Sequence, residues 1–346
     1  MGKGGKKEVI SVFENGYMLV KENNRCGVID EKGNVIIKSK YDKIIKHSNF
    51  FIALKKEKYR LKDMYGKNVT KLEYDEIKDT NSYLFIVRID DFYGLIDFEG
   101  NEVLKVCYKS IKPIYYDCAD YFIVTNKEGK CGLIDKNGKT LLKCKYYAIY
   151  RLHHDKFSVL NSEAYAIYSI YNGFVFDFKI TAIQTFLSHS SNLICTINGK
   201  YGIIDLDGNV ITDFKYDAMY LCSRYADDVS AKIGDRYCLI NSSGRKVTSV
   251  KYDYIKYLDV EKGLLIVREW AKFGVINNKG EEILSSSYDA LRMIDSTHLI
   301  TRISNFYSLY KISGEALINY FKKEKFKEIC KENGIKYDQK IIDLLN

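Results

Sequence analysis

The stretch Cys131–Tyr147, CGLIDKNGKTLLKCKYY, decides the fold. A short apolar strand runs into Asp135, the chain turns over Lys136, Asn137 and Gly138, and a second strand returns. Asp at the first turn position can accept the backbone N–H groups of the turn. Gly three residues later supplies the positive φ that closes a type I turn with a bulge. The pattern recurs nine times, with its turn glycine at Gly33, Gly66, Gly100, Gly138, Gly173, Gly208, Gly244, Gly280 and Gly314. Successive spacings are 33, 34, 38, 35, 35, 36, 36 and 34 residues. A period of this size marks a repeat architecture, whose units bury their apolar faces against one another.

Each unit reads as four short strands, here called A to D. In the unit around Gly138 they are expected at Phe122–Asn126, Lys130–Asp135, Lys139–Lys143 and Tyr147–Leu152. Apolar runs of four to six residues punctuated by Asx and Gly are the strand signal. A second anchor, Tyr-Asp, falls at the expected C–D turn at Tyr41-Asp42, Tyr74-Asp75, Tyr216-Asp217, Tyr252-Asp253 and Tyr288-Asp289. There Asp would cap the backbone and the ring would pack between units. The fifth unit is the most eroded, with Ile180-Thr181 in place of Tyr-Asp.

The ninth unit keeps A, B and C up to Asn319, after which Tyr320 to Gly334 has helical composition and a second short helix is expected at Gln339–Leu345. It therefore lacks a strand D, while Val9–Phe13 precedes the first strand A and belongs to no unit. These complementary omissions predict that the N-terminal strand completes the ninth unit beside Glu315–Asn319. The expectation is an all-β protein of about nine repeats in a β-propeller-like ring, with an open β superhelix as the alternative. Its expected divisions are a basic arm over 1–7, a repeat domain over 8–319 and a helical segment over 320–346.

The run Lys200 to Asp217, KYGIIDLDGNVITDFKYD, resembles the WG-repeat family, also called KWG repeats. That pattern is Lys-Trp-Gly, an apolar pair, Asp or Asn, a Gly turn, and an apolar strand leading to Tyr-Asp. Gly follows the aromatic-or-Cys slot at Gly27, Gly94, Gly132, Gly202 and Gly274, and the likeness extends from about Tyr17 to Asn319. Trp is absent from the slot, which holds Cys26, Tyr59, Tyr93, Cys131, Tyr165, Tyr201, Tyr237, Phe273 and Tyr307; the one Trp, Trp270, lies in an A–B turn. The resemblance implies a bacterial β-repeat module with a binding or scaffolding role, and it brings no catalytic residues. The ring of Tyr201 is expected to be largely buried between units.

Composition narrows the function classes. With 46% hydrophobic residues, 14% aromatic residues and a single Pro, Pro113, the 346-residue chain has ample material for a core of turn-linked strands. No apolar run approaches the ~18 residues of a membrane helix, so no membrane association is expected. Nine Cys without a CxxC motif read as small buried residues in a reducing compartment, and the cytoplasm is the expected location. The five His all fall in D–A connections, but only His153 and His154 are adjacent, so no metal is assigned. The carboxylate pairs Asp90-Asp91 and Asp227-Asp228 read as solvated loop charges. No catalytic, cofactor or metal-binding residues are assigned, and the chain is expected not to be an enzyme.

A net charge of +9 permits an anionic partner without requiring one. Bases gather on the rim of A–B and C–D turns, where Lys55, Lys58, Lys127, Lys130, Lys200, Arg236 and Lys272 form a candidate anion-binding set. Loops with His153, His154, Tyr115, Tyr116 and Tyr225 are candidates for partner binding. The expected function is a noncatalytic scaffold, itself monomeric, that binds a protein partner. The alternative is a module for nucleic acid or another phosphorylated ligand on the basic face.

Overall fold

The structure is a computed structural model that describes residues 7–13, 16–47, 49–80, 82–115, 119–187, 191–241, 243–338 and 341. Most of the basic arm and of the second expected helix lie outside the described residues. The described residues are all-β: nine small antiparallel sheets follow one another, with one short α-helix after them. Contacts divide it into two compact units, residues 1–163 with 168–173, and residues 164–167 with 174–346.

The sheets are cut from the sequence in a different frame from the one expected. In the fourth sheet the strand order is Ser110–Tyr115, Ala119–Thr125, Cys131–Asp135, Thr140–Tyr146. Strand D thus opens the next sheet rather than closing its own. Strand C ends at Tyr146 and the next D begins at Ala148, leaving one hinge residue between two sheets. The N-terminal strand Glu8–Val12 follows the same rule and pairs with Met18–Glu22 as the D strand of the first sheet. The expected seam with the ninth unit is therefore not formed. The ninth sheet, Ala290–Met293 through Ala316–Phe321, already has its four strands.

Inner strands A and B are apolar on both faces because neighbouring sheets cover both. In Leu84–Ile89, Phe85 and Val87 pack with Ile52 and Leu61 of the second sheet, while Leu84 and Ile86 pack with Phe122 and Val124 of the fourth. That is why these strands read as continuous hydrophobic runs, whereas outer strand C alternates, as in Val210–Tyr216. The B–C glycines contribute to the same stacking. A Cβ on Gly66 would lie 2.1 Å from the Ile36 carbonyl oxygen of the preceding sheet, and one on Gly208 would lie 2.1 Å from that of Val175.

The glycine after the aromatic slot has a separate cause. Tyr201 pairs with Tyr216 and Ile203 with Thr212, so strand C carries a bulge opposite Gly202. A Cβ there would lie 2.7 Å from the Thr212 carbonyl oxygen, and the same distance recurs at Gly27, Gly94, Gly132 and Gly274. Where Arg60 or Cys238 takes this place, strand C is reduced to isolated bridges and the sheet has three strands. In both cases a Thr hydroxyl, of Thr70 or Thr248, accepts from the B-strand N–H of Leu61 or Leu239.

Helix Phe326–Glu332 buries Phe326, Ile329 and Cys330 against Ile300, Tyr307, Leu309 and Phe321 of the ninth sheet. It covers the face that a further sheet would otherwise cover, which is the role of a capping element in a stacked array.

Candidate functional site

The rim formed by the hinges and the A–B turns is built from one repeated device. The residue that opens strand B and the hinge residue 17 positions later face each other across neighbouring sheets. Arg25 pairs with Asp42, Lys58 with Asp75 at 2.5 Å, Lys200 with Asp217 at 2.5 Å, Arg236 with Asp253, and Lys272 with Asp289. The second carboxylate oxygen accepts a backbone N–H from the following A–B turn. The donors are Lys56 (2.8 Å), Asp90 (2.6 Å), Gly234 (2.7 Å), Ala271 (3.2 Å) and Ser304 (2.6 Å). The hinge aspartate thus fastens a base behind it to a turn ahead of it. Hydrogen bonds from Lys58, Lys200 and Lys272 hold the Asp75, Asp217 and Asp289 carboxyls below their ordinary range, helped by those turn N–H groups. Half-exposed pairs of this kind contribute little to stability.

Four of the seven candidate anion-binding residues, Lys58, Lys200, Arg236 and Lys272, are members of these pairs. Arg236 also stacks on Trp270, with its guanidinium carbon 3.9 Å from the ring centroid. Two more stand over rings: Lys127 lies 4.6 Å from the Phe92 centroid and Lys130 lies 3.2 Å from that of Tyr147. Lys55 is exposed at the end of Phe50–Lys55. Instead of one basic surface, the rim carries cations already matched to acids or rings, with departures around the third and fourth sheets. The 17-residue spacing was present in the sequence, but it acquires meaning only once the hinge is placed.

On the opposite rim, of B–C turns and D–A connections, His153 and His154 are exposed with ring centroids 4.5 Å apart. His154 helps line a cavity of about 170 Å³ with Asp120, Arg151, Asp155 and Tyr171. Tyr115 ends the first strand of the fourth sheet, Tyr116 lies outside the described residues, and Tyr225 is exposed beneath the Arg224 guanidinium at 4.7 Å. The sequence reading missed the most exposed aromatics here, Tyr65 at 85% and Tyr83 at 82%. Tyr83 stands at φ 61° in the D–A turn of the third sheet, its ring 6.4 Å from that of Phe98.

Other expectations change with burial. Asp227 and Asp228 are buried on strand A of the seventh sheet instead of solvated in a loop, and the Tyr257 hydroxyl donates to Asp228. Tyr201 is only half-buried, while Tyr216 of the Tyr-Asp anchor is 2% exposed and packs with Ile203, Met219 and Ile240. Burial pushes the Cys195 and Cys222 thiols up to about 12, which leaves them inert as nucleophiles. Among the described residues, no group of three or more His, Cys, Asp or Glu is placed to hold a metal ion.

Residues 27–59, 132–161 and 201–221 match the WG containing repeat. Those three segments carry the WG repeat. Each matched segment includes one of the bulge-facing glycines Gly27, Gly132 and Gly202, so the geometric requirement and the family pattern coincide. No curated protein sequence matches the WG-repeat chain. Among solved structures, a eukaryotic initiation factor is similar at 11% identity over 89% of this chain and 97% of that one, with a TM-score of 0.31. Kluyveromyces lactis Hsv2p gives 11% identity, 68% and 92% coverage and a TM-score of 0.26. PorZ of Porphyromonas gingivalis, a surface component of the type-IX secretion system, gives 7% identity, 93% and 52% coverage and a TM-score of 0.25. These likenesses are too distant to say anything of function.

Proposed function

We propose that the WG-repeat chain is a noncatalytic scaffold that binds a protein partner through the rim of its B–C turns and D–A connections. The observation that carries this reading is the set of aromatics held out from the second and third sheets. Tyr65 and Tyr83 are each more than four-fifths exposed, and Phe98 lies beside Tyr83. Tyr83 keeps this position at a positive φ that costs a bulky residue backbone energy, which is the kind of strain found at binding sites. Rigid aromatics on an ordered rim are the usual anchors of protein interfaces. Five of the described thiols are buried. Contrary to the expectation of burial for all of them, Cys107 is exposed and Cys131 and Cys144 are half-buried. Free thiols suit the reducing cytoplasm in which this reading places the chain.

The test is site-specific photo-crosslinking in native extract. A photoreactive phenylalanine analogue at Tyr65 or Tyr83 is expected to capture a discrete protein at both low and high salt. The same analogue at Asp235, on the opposite rim of the seventh sheet, is expected to capture none. Identical adducts from all three positions, or none that survives high salt, would refute the assignment.

A further inference from the structure

The eight hinges do not all carry the ion-pair device, and the exceptions are informative. The paired positions read Arg25/Asp42, Lys58/Asp75, Phe92/Lys109, Lys130/Tyr147, Ala164/Thr181, Lys200/Asp217, Arg236/Asp253 and Lys272/Asp289. Five pairs keep both base and acid, whereas at Lys130/Tyr147 the base remains and the acid has become a ring that it stands over. At the hinge between the third and fourth sheets the acid has become an ammonium, Lys109, and the base that would have met it has become Phe92. A second ammonium arrives from the following turn, since Lys127 stands over the Phe92 ring. The position that holds an aspartate at five other hinges thus holds a lysine here, and a second lysine lies over the ring that replaces its base.

The adjoining turn is altered in the same direction. It is longer than the others and closes on itself, with Gly129 N–H donating to the Asn126 carbonyl oxygen at 3.0 Å and Lys130 N–H to Asn126 Oδ1 at 2.8 Å. Among the described residues, none accepts from the N–H groups of Lys127 and Glu128. At the five other hinges the aspartate accepts an N–H of this turn. A cavity of about 400 Å³ opens beside it, between the third and fourth sheets, lined by Lys127, Glu128 and Lys143 and by the apolar Ile134 and Leu142. Cys144, which stands over Gly132, also lines it.

The geometry points to this hinge as the docking point for an acidic segment of a partner protein. One partner carboxylate takes the position that the hinge aspartate holds elsewhere, near Lys109 and Lys127 and the free turn N–H groups. A neighbouring apolar side chain enters the cavity against Ile134 and Leu142. The choice of a peptide over a bare anion follows from the apolar half of the cavity and from its size. This inference rests on the protein-binding reading only in taking the carboxylate from a polypeptide, and it lies on the opposite rim from Tyr65 and Tyr83.

The test uses the full chain and a short fluorescein-labelled peptide of alternating Glu and Leu, read by fluorescence anisotropy. Its Gln/Leu counterpart and a labelled single-stranded oligonucleotide serve as competing probes. The decisive variant is Phe92→Lys with Lys109→Asp, which installs the ion pair that five other hinges already carry. It is expected to melt at or above the parent temperature and to lose at least about tenfold in affinity for the Glu/Leu peptide. Lys127→Ala is expected to lose a similar factor, and Glu128→Gln to gain affinity by removing the one carboxylate that lines the cavity. Undiminished binding by the double variant, or equal binding of the Gln/Leu peptide, would overturn the proposal. Tighter, hinge-dependent binding of the oligonucleotide would overturn it in favour of nucleic acid. Tyr83→Ser is expected to leave peptide binding intact, so loss of crosslinks from the aromatic rim and loss of peptide binding at the hinge are separate outcomes.

Discussion

Replacing single turn glycines by alanine separates two roles that the sequence merges. Gly33, Gly173 and Gly208 all stand at positive φ, at 83°, 74° and 88°, so alanine at each meets the same backbone penalty. That penalty is about 1–2 kcal/mol for an L-residue in the left-handed region. The surroundings differ. A Cβ at Gly33 or Gly173 meets nothing within 4 Å, whereas one at Gly208 would lie 2.1 Å from the Val175 carbonyl oxygen. Ordinary contact begins near 3.4 Å, so the sixth sheet would have to move by more than 1 Å away from strand Gly173–Ile180. Forcing atoms into a packed contact costs about 1–3 kcal/mol. Gly208→Ala should therefore lose about 2–5 kcal/mol in all, against about 1–2 for Gly33→Ala and Gly173→Ala. Stacked repeats open unit by unit, so hydrogen exchange in Gly173–Ile180 and Val210–Tyr216 is the direct readout, alongside urea unfolding followed by far-UV circular dichroism. Equal losses in all three variants would show that the glycines serve the turn alone and that the sheets do not rest on them.

Tyr216→Ala should destabilise by about 3–5 kcal/mol as large buried aromatics do, and Tyr201→Ala by clearly less, both measured by urea unfolding. Acid should loosen the hinges. Because the Asp75, Asp217 and Asp289 carboxyls titrate lower in the folded chain than in the unfolded one, their contribution is complete above roughly pH 4 and is lost as pH falls below it. Melting temperature should fall over that window, with a shallower slope in Asp217→Asn. Phe326→Ala, which empties the contact between the helix and the ninth sheet, should expose Ala290–Met293 and Ala316–Phe321 to hydrogen exchange while the first to fourth sheets keep their protection.

Much of this was legible from residues alone, for a physical reason. A positive φ or a buried ring restricts the residue type severely, so Gly208 and Tyr216 announce their positions. Pairing between strands is not written that way. Nothing in the Tyr216-Asp217-Ala218 run says that the chain changes sheets at Asp217, because extended backbone on either side of a hinge looks alike in sequence. The same ambiguity left Glu8–Val12 without a sheet and suggested a seam with the ninth unit. Asp227 and Asp228 misled for a different reason, since a carboxylate can be buried when a hydroxyl such as that of Tyr257 meets it. The bases that open strand B were legible, but their partners became visible only when strand B and the hinge were seen from neighbouring sheets.

The one-residue hinge also bears on how such a chain could change length. From the second sheet onward, each takes its first strand from the segment just after one hinge and its last from the segment just before the next. A tandem duplication of any window one period long, wherever its breakpoints fall, therefore inserts one whole sheet and leaves every other sheet its full complement of strands. The reading frame of the architecture is indifferent to where the copy begins. Lengthening or shortening the array in the laboratory should thus leave the junction between copies free to lie in whichever turn is most convenient to clone, provided that the helix Phe326–Glu332 keeps its contact with the sheet Ala290–Phe321.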